Sequence, residues 1–363
     1  MAETTKIEWC DSTWNPWIGC TQVSPACDHC YAAVSRAATA LGVEWGAGKP
    51  RHRTSAANWK LPLRWNSERF HECTVCGWRG TTKYGDPVCC DVPAKPARRR
   101  VFCSSLADVL DYEVPIEWFV DCLDLCRRTP NIDKLLLTKR IGNWRRRLGD
   151  AADAVGYSDE NIALRDWIGD WLSGKAPTDI WLGATICNQA EADRDVPKLL
   201  RVPAAVRFLS IEPMLGRVDL CEQLGMWWNQ TMGCWESTGQ QINVAPDGRP
   251  RIGWVICGGE SGAHARPMHP DWARSLRDQC AAAGVPFLFK QHGEWLATAF
   301  CDDDAAMLPS RRTVYVSQDG SYVPLGAAVN FFGGAEETAW VGKKAAGRKM
   351  DGRIHHEFPR IAT

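Results

Sequence analysis

The chain has 363 residues, enough for one large α/β domain or two domains of ordinary size. Lysine plus arginine equals aspartate plus glutamate at 43 each, so no global field draws the chain to nucleic acid or to an anionic membrane. The first residues, MAETTKIEW, lack the basic start and apolar core of a signal peptide, and no run of about 18 apolar residues occurs. These features predict a cytoplasmic protein without membrane contact.

Seventeen cysteines is a high number for this length. Disulfides are rare in the cytosol, so we expect the clustered cysteines to bind metal and the isolated ones to be small buried side chains. The isolated ones are Cys103, Cys122, Cys126, Cys187, Cys257 and Cys280.

Short apolar runs alternate with helix-like segments along most of the chain. Such runs are typical of parallel strands covered on both faces. The predicted strands are Trp14–Cys20, Arg100–Ser104, Lys134–Thr138, Ile180–Thr185, Val206–Ile211, Gly253–Cys257 and Pro286–Lys290. Predicted helices include Ile116–Arg128, with Trp118, Cys122, Leu125 and Cys126 on one face, and His269–Gly284. About seven strands joined by right-handed crossovers predict an α/β fold, a partial or nearly complete (β/α) barrel.

Three regions interrupt this alternation and divide the chain into predicted parts. Residues 1–70 would supply the first strand, a cysteine loop and the following helix, and residues 93–299 would supply the remainder of the barrel. A cysteine-rich insertion spans 71–92, an irregular insertion spans 221–251, and a C-terminal appendage spans 300–363.

Cys20, Cys27 and Cys30 stand in one loop, GCTQVSPACDHCYA. Three thiolates close in sequence can hold three irons of a [4Fe–4S] cluster and leave the fourth iron open. The alternatives are a zinc site completed by His29 or Cys10, and buried thiols without metal. The position of the loop after the first strand favours a cluster, because active sites lie at the carboxyl ends of barrel strands.

Cys73, Cys76, Cys89 and Cys90 form a second group that resembles a compressed zinc ribbon. His71 is an alternative ligand if only one cysteine of the adjacent pair binds. Because the insertion lacks apolar periodicity, a metal would supply its folding energy. A bare flexible loop and a second iron–sulfur cluster remain open as alternatives.

Polar residues follow each of the other predicted strands, where barrel enzymes carry their chemistry. They are Ser104, Ser105 and Asp108; Thr138, Lys139 and Arg140; Thr185, Asn188 and Gln189; Ser210 and Glu212; Glu260 and Ser261 after Gly258–Gly259; and Lys290, Gln291 and His292. Two basic stretches, 95–100 and 139–147, could contact nucleic acid or form solvated faces.

Several longer segments carry a resemblance to a known family. They are TWNPWIGCTQVSPACDHCYA, VFCSSLADVLD, LLLTKR, IWLGATICNQAEADR, RFLSIEPMLG, WVICGGESGAHARPMHPDW, FLFKQHGEW and VGKKAAGRKMDGR. With them the chain resembles a phage-associated radical S-adenosylmethionine (SAM) family related to spore photoproduct lyase. It departs from the usual Cys-x3-Cys-x2-Cys spacing, since its first gap is six residues and His29 replaces the aromatic residue before the last cysteine.

The resemblance implies a [4Fe–4S] cluster on Cys20, Cys27 and Cys30 that cleaves SAM to a 5′-deoxyadenosyl radical. Ser104, Ser105 and Ser210 would bind SAM hydroxyl or carboxylate groups, and Lys139 or Arg140 would pair with its carboxylate. Lys139, Glu212 and Glu260 are the candidate catalytic residues, although Glu212 and Glu260 could instead cap local structure.

For substrate, the resemblance implies DNA or a modified nucleobase. The specific expectation is isomerisation of glycyl-modified thymidine during phage DNA hypermodification, in the host cytoplasm. An electron donor such as flavodoxin or ferredoxin would supply the reducing electron. The alternatives are a DNA photolesion lyase and a non-catalytic protein that binds zinc and nucleic acid.

Overall fold

The computed structural model describes residues 3–82, 87–159, 161–230, 232, 234–236, 243–244, 248–300, 312–326 and 334–360. Parts of the predicted insertion 221–251 and of the predicted appendage 300–363 therefore lie outside the described residues. The chain divides into two compact units. The first comprises Met1–Gln22, Ala32–Leu182 and Val202–Ala205, and the second comprises Val23–Tyr31, Gly183–Arg201 and Val206–Thr363.

Seven strands form one sheet. They are Ser12–Trp14 (β1), Arg99–Cys103 (β9), Ile132–Thr138 (β10), Ile180–Thr185 (β11), Val206–Ile211 (β12), Trp254–Gly258 (β15) and Phe287–Gln291 (β16), and they lie in the sheet in this order. The registers of β1 with β9, β9 with β10, β12 with β15 and β15 with β16 are all parallel. The fold is thus mixed α/β with a parallel seven-stranded sheet, consistent with a partial (β/α) barrel.

The remaining elements of the first unit are small strands and amphipathic helices. The strands are Trp17–Ile18 (β2), His52–Arg53 (β3), His71–Glu72 (β4), Arg79–Gly80 (β5), Val88–Cys89 (β6), Val92–Pro93 (β7) and Lys95–Pro96 (β8). The helices are Arg36–Ala40 (α1), Ala56–Trp59 (α2), Leu61–Ser67 (α3), Ile116–Arg128 (α4), Trp144–Val155 (α5) and Ile162–Leu172 (α6).

The remaining elements of the second unit include a small antiparallel sheet in the order β17-β20-β18-β19. Its strands are Trp295–Ala297 (β17), Thr313–Val316 (β18), Tyr322–Pro324 (β19) and Glu336–Trp340 (β20), and a separate hairpin joins Trp227–Asn229 (β13) to Cys234–Glu236 (β14). The helices are Gln189–Leu200 (α7), Pro270–Ala283 (α8) and Lys343–Ala346 (α9).

The predicted strands and helices are largely confirmed, with two instructive differences. The opening run does not form one strand, because it divides into β1 and β2 around Asn15 and Pro16. In α4 the buried face carries Phe119 rather than Trp118, which is half-buried. Helix α8 begins and ends as expected, with His269 accepting the Asp271 N–H at its start and Gly284 in the left-handed conformation at its end.

Tryptophan side chains fill much of the interior. Those almost completely buried are Trp14, Trp17, Trp65, Trp171, Trp181, Trp254 and Trp272. Within the part of the chain that the structure describes, no helix combines the length and apolar composition needed to cross a membrane.

The buried histidine after β16 should make stability depend on pH. Burial lowers the pKa of His292 to about 4, below the ordinary value of about 6.5. The unfolded chain therefore takes up a proton first as the pH falls, and the folded state loses up to about 3 kcal/mol between pH 6.5 and pH 4.

Urea unfolding at pH 7 and pH 4.5 checks this expectation. His292→Gln keeps a donor for the Lys349 carbonyl, which His292 Nε2 contacts at 2.6 Å, but cannot titrate. The variant should lose less stability on acidification than the wild-type protein, and equal losses would contradict the assignment.

Candidate metal and cofactor sites

Four cysteines of the first unit come together in the insertion that follows α3. The sulfur atoms of Cys73, Cys76, Cys89 and Cys90 all lie within 4.8 Å of one another. The Cys76 and Cys89 sulfurs are 3.5 Å apart, and those of Cys89 and Cys90 are 3.8 Å apart. All four are free thiols. This group could hold a metal ion, either zinc or iron, as tetrathiolate sites do.

Two short hairpins build this group. Strands β4 and β5 enclose the turn that carries Cys73 and Cys76, where the Cys73 N–H donates to the Trp78 carbonyl at 2.7 Å. Strands β6 and β7 enclose a second turn, with Cys89 at the end of β6. Both adjacent cysteines belong to the group and the expected alternative, His71, does not, so the four-cysteine arrangement is the one that the geometry favours.

The second turn has an unfavourable backbone. Cys90 has φ 51° and Asp91 has φ 60°, so both residues occupy the left-handed region. A two-residue hairpin turn of this kind normally uses Asn, Asp or Gly, so Cys90 in this conformation costs roughly 1–3 kcal/mol. A metal bond to the Cys90 sulfur would offset this cost.

The local environment shifts the pKa values of these thiols in different directions. The backbone N–H groups of Cys76 and Val75 point at the Cys73 sulfur and lower the pKa of Cys73 to about 7. Contact with the Cys76 thiol, with burial, raises the pKa of Cys89 to about 12. Four thiolates at such short distances would repel one another, and a bound cation would relieve that repulsion.

Cys20 lies in the first unit beside an arginine from the end of β10. Arg140 Nη1 donates to the Cys20 sulfur at 3.3 Å and lies 3.0 Å from Asp108 Oδ2, while Nη2 donates to the Thr21 carbonyl at 2.6 Å. Burial, then Asp108, raises the pKa of Cys20 to about 11, against the lowering effect of Arg140. Arg140, expected as a partner of the SAM carboxylate, thus already has three partners around the cysteine loop.

Cys27 ends a single-turn 3₁₀ segment, Pro25–Cys27, in the second unit, and Cys30 follows three residues later. The Ser24 hydroxyl caps it by accepting the Ala26 N–H at 3.1 Å, and the Cys30 N–H donates to the Cys27 carbonyl at 3.3 Å. Cys27 is buried and Cys30 is half-buried. Cys20, Cys27 and Cys30 are three thiols within eleven residues, the donor set that the sequence predicts for an iron–sulfur cluster with one open iron.

Arg266 and Glu260 hold the Cys27 segment in place. Glu260, buried after β15, accepts Arg266 Nε at 2.8 Å on Oε2 and Nη2 at 2.7 Å on Oε1. Arg266 then reaches the Pro25 carbonyl at 2.9 Å and Asp28 Oδ2 at 3.0 Å. His29 Nδ1 lies 3.2 Å from Glu260 Oε2. Burial alone would raise the pKa of Glu260, but the Arg266 hydrogen bonds outweigh it and hold that pKa below its usual value.

A second acid–base pair lies at the ends of β12 and β16. The Lys290 ammonium is 3.1 Å from Glu212 Oε1, and both side chains are mostly buried. The Ser210 hydroxyl donates to Glu212 Oε2 at 3.4 Å. Glu212, which is expected as a catalytic residue, therefore forms an ion pair with Lys290. The sequence indicated Lys290 only as one of the polar residues at the strand ends.

The strand ends of the first unit differ in how much of their hydrogen-bonding capacity is used. The Ser105 hydroxyl accepts from Asn15 at 2.9 Å. Ser104, by contrast, is buried with φ 65°, and its hydroxyl has no partner among the described residues. The Lys139 backbone donates to Asp108 Oδ2 at 2.8 Å, while its half-buried side chain forms no ion pair with any described residue. Ser104 and Lys139 are thus the predicted cofactor-binding residues that remain available.

The two basic stretches predicted to contact nucleic acid are mostly engaged inside the first unit. Arg98 pairs with Asp133 at 2.6 Å and Arg99 pairs with Glu68 at 2.8 Å. Burial lowers the pKa of Arg100 to about 10. In the other stretch Arg147 is buried, while Arg145 and Arg146 remain exposed.

Sequence reasoning missed Arg266 and Cys187 as partners of the cysteine loop. The Cys187 thiol at the end of β11 contacts the Ser24 side chain and the Ala26 N–H, and burial raises its pKa to about 12. Neither residue stands in a metal-ligand spacing, so only chain folding reveals their contacts with residues 24–28.

The family model described as "Protein of unknown function (DUF5131)" matches residues 4–359. No curated protein and no solved structure matches the chain.

The Cys90 backbone gives a specific test of metal binding. Cys90→Gly and Cys90→Ala both remove one thiolate, so each should lower metal affinity at this group by at least about 100-fold, measured by competition with a chromophoric chelator. In chelator, Cys90→Gly should resist proteolysis at residues 71–96 better than Cys90→Ala, because glycine relieves the strained turn. Cys221→Ser, a buried thiol outside the group, serves as the control. Full metal retention in both Cys90 variants would contradict the assignment.

Arg266→Ala should loosen the Cys27 segment even in metal-free protein. Losing charge-assisted hydrogen bonds of about 1.5–3 kcal/mol should speed amide exchange at Cys27, Asp28 and Cys30 by about tenfold or more. Hydrogen–deuterium exchange of the peptide covering 23–31 measures this. Arg274→Ala, which breaks a pair with Asp351 in the same unit, is the control and should leave that peptide unchanged.

Proposed function

We propose that this chain, which belongs to the DUF5131 family, is a radical SAM enzyme that holds a [4Fe–4S] cluster on Cys20, Cys27 and Cys30. The observation that carries the proposal is the arginine support of the cysteine loop, Arg140 at the Cys20 sulfur and Arg266 at the Pro25–Asp28 segment. Arg140 beside the Cys20 sulfur would stabilise that sulfur as an anionic ligand, and Arg266 holds the Pro25–Asp28 segment that carries Cys27. When bound, the cluster supplies the electron that cleaves SAM to methionine and a 5′-deoxyadenosyl radical.

The residues of the chain supply binding groups for this chemistry. The Ser104 hydroxyl, buried and without a partner among the described residues, can bind a SAM hydroxyl or carboxylate oxygen. The Lys139 ammonium can pair with the methionine carboxylate. In the second unit, Gln291 Oε1 is likewise buried without a partner among the described residues, which leaves it able to accept a hydrogen bond from a ligand.

The narrower form of the proposal is rearrangement of an amino-acid-modified thymine in DNA. An amino acid joined to a base presents either an amine or a carboxylate, and often both. The Glu212–Lys290 pair offers one partner for each, since Glu212 can accept from an amine and Lys290 can donate to a carboxylate. These are binding roles.

We further propose that the metal of the Cys73, Cys76, Cys89 and Cys90 group is zinc in a structural role. Four thiolates on two turns are typical of closed structural zinc sites, which leave no open coordination position for chemistry. The small strands around the group supply few buried apolar side chains, so the metal would contribute directly to the folding of the insertion.

Anaerobic incubation of reconstituted protein with dithionite and SAM tests the proposed activity. Wild-type protein should contain about four irons per chain and should release 5′-deoxyadenosine, and Cys27→Ala should abolish both. Cys76→Ala should lose zinc and retain iron and cleavage activity, which makes it the matched control. Protein that binds zinc alone, with no iron after reconstitution, would overturn the proposal in favour of a non-catalytic metal-binding protein.

A further inference from the structure

Four exposed basic side chains follow the small antiparallel sheet of the second unit. Lys343, Lys344, Lys349 and Arg353, which we call the basic patch, are all exposed. None of their side chains forms an ion pair or a hydrogen bond with a residue that the structure describes. They differ in this from the internal arginines, such as Arg98 and Arg99, whose charges are met by carboxylates.

The acidic residues Asp351 and Glu294, next to the basic patch, form no ion pair with its side chains. Asp351 accepts from Arg274 at 2.7 Å and from Arg277 at 2.6 Å. Glu294 accepts the backbone N–H of Lys343 at 2.9 Å and that of Gly262 at 3.0 Å. The positive charge of the basic patch is therefore left to face solvent.

Backbone contacts fix the basic patch beside the carboxyl end of β16. The His292 N–H donates to the Gly347 carbonyl at 3.2 Å, and His292 Nε2 lies 2.6 Å from the Lys349 carbonyl. The Gly342 N–H donates to the Glu294 carbonyl at 3.0 Å. Because Glu294 also holds Gly262, the loop after β15 is tied to the same place. In parallel α/β sheets, ligands bind at the carboxyl ends of the strands.

We infer that the basic patch binds the sugar–phosphate backbone of a nucleic acid and holds it beside the ends of β15 and β16. Lysine and arginine side chains that keep unpaired charge in solvent are the groups that contact phosphates. A protein partner would call for aromatic or aliphatic anchors, and a membrane surface for apolar ones. Within 341–360, all of which the structure describes, Ile354 is the one exposed large apolar side chain.

The inference rests on the proposed function for the role of the nucleic acid as substrate. Binding itself needs neither the cluster nor SAM, so the two can fail separately. Equilibrium binding tests the basic patch, and release of 5′-deoxyadenosine tests the chemistry.

The experiment compares matched pairs of charge-removing variants by fluorescence anisotropy with a labelled 20-base-pair DNA duplex between 50 and 200 mM salt. Lys343→Gln/Lys344→Gln and Lys349→Gln/Arg353→Gln each remove two charges of the basic patch. Arg145→Gln/Arg146→Gln removes two exposed charges from the stretch 139–147 and is the control. The exposed positions make misfolding a small concern, and circular dichroism with thermal unfolding checks it.

We expect each basic-patch variant to reduce the slope of log affinity against log salt by about 2, since each phosphate contact contributes about 0.9. Affinity near 100 mM salt should fall at least about tenfold, and the control should bind like wild type. An equal fall in the control, no duplex binding by wild type, or tighter binding to polyglutamate or to phosphatidylserine vesicles than to DNA would each overturn the inference. SAM cleavage without substrate should be unchanged in the basic-patch variants.

Discussion

The buried Glu260 carboxylate is the constraint on which the cysteine segment of the second unit depends. A carboxylate 5% exposed remains charged only when its oxygens are paired, and Arg266 pairs with both of them. The guanidinium has donors left over, and these reach the Pro25 carbonyl and Asp28. One ion pair thereby fixes both the strand end that carries Glu260 and the 3₁₀ segment that carries Cys27.

This arrangement gives a physical account of the unusual cysteine spacing. If the proposed radical SAM function holds, the six-residue gap between Cys20 and Cys27 makes a longer loop than the three-residue gap of the usual motif, and a longer loop has more conformations to restrict. Ser24, Arg266 and His29 restrict it in the second unit, and Arg140 restricts Cys20 in the first. His29 contributes through its contact with Glu260.

Although the net charge is zero, the basic residues differ in whether their charges are paired inside the protein or exposed to solvent. Most arginines of the predicted nucleic-acid stretches are paired with internal carboxylates or carbonyls or are buried, as Arg98, Arg99 and Arg147 illustrate. The side chains of the basic patch are exposed and form no ion pair with Asp351 or Glu294. Net charge by itself therefore says little about where a polyanion could bind, since pairing decides which charges reach solvent.

The sequence alone determined the strand and helix pattern, because apolar periodicity is a local property. Strands Ile180–Thr185 and Val206–Ile211 and helix Ile116–Arg128 have the predicted bounds, and β9, β15 and β16 differ from prediction by one residue. The cysteine spacing likewise predicted the four-cysteine group. Only the tertiary structure decided that Cys89 and Cys90 both join it instead of His71. It also decided that Glu260, which pairs with Arg266, lies near His29 and that Arg140 contacts Cys20. His29 and Glu260 are 231 residues apart along the chain, and Cys20 and Arg140 are 120 residues apart. Contacts at such separations depend on which strand ends the sheet brings together, and no local pattern encodes that.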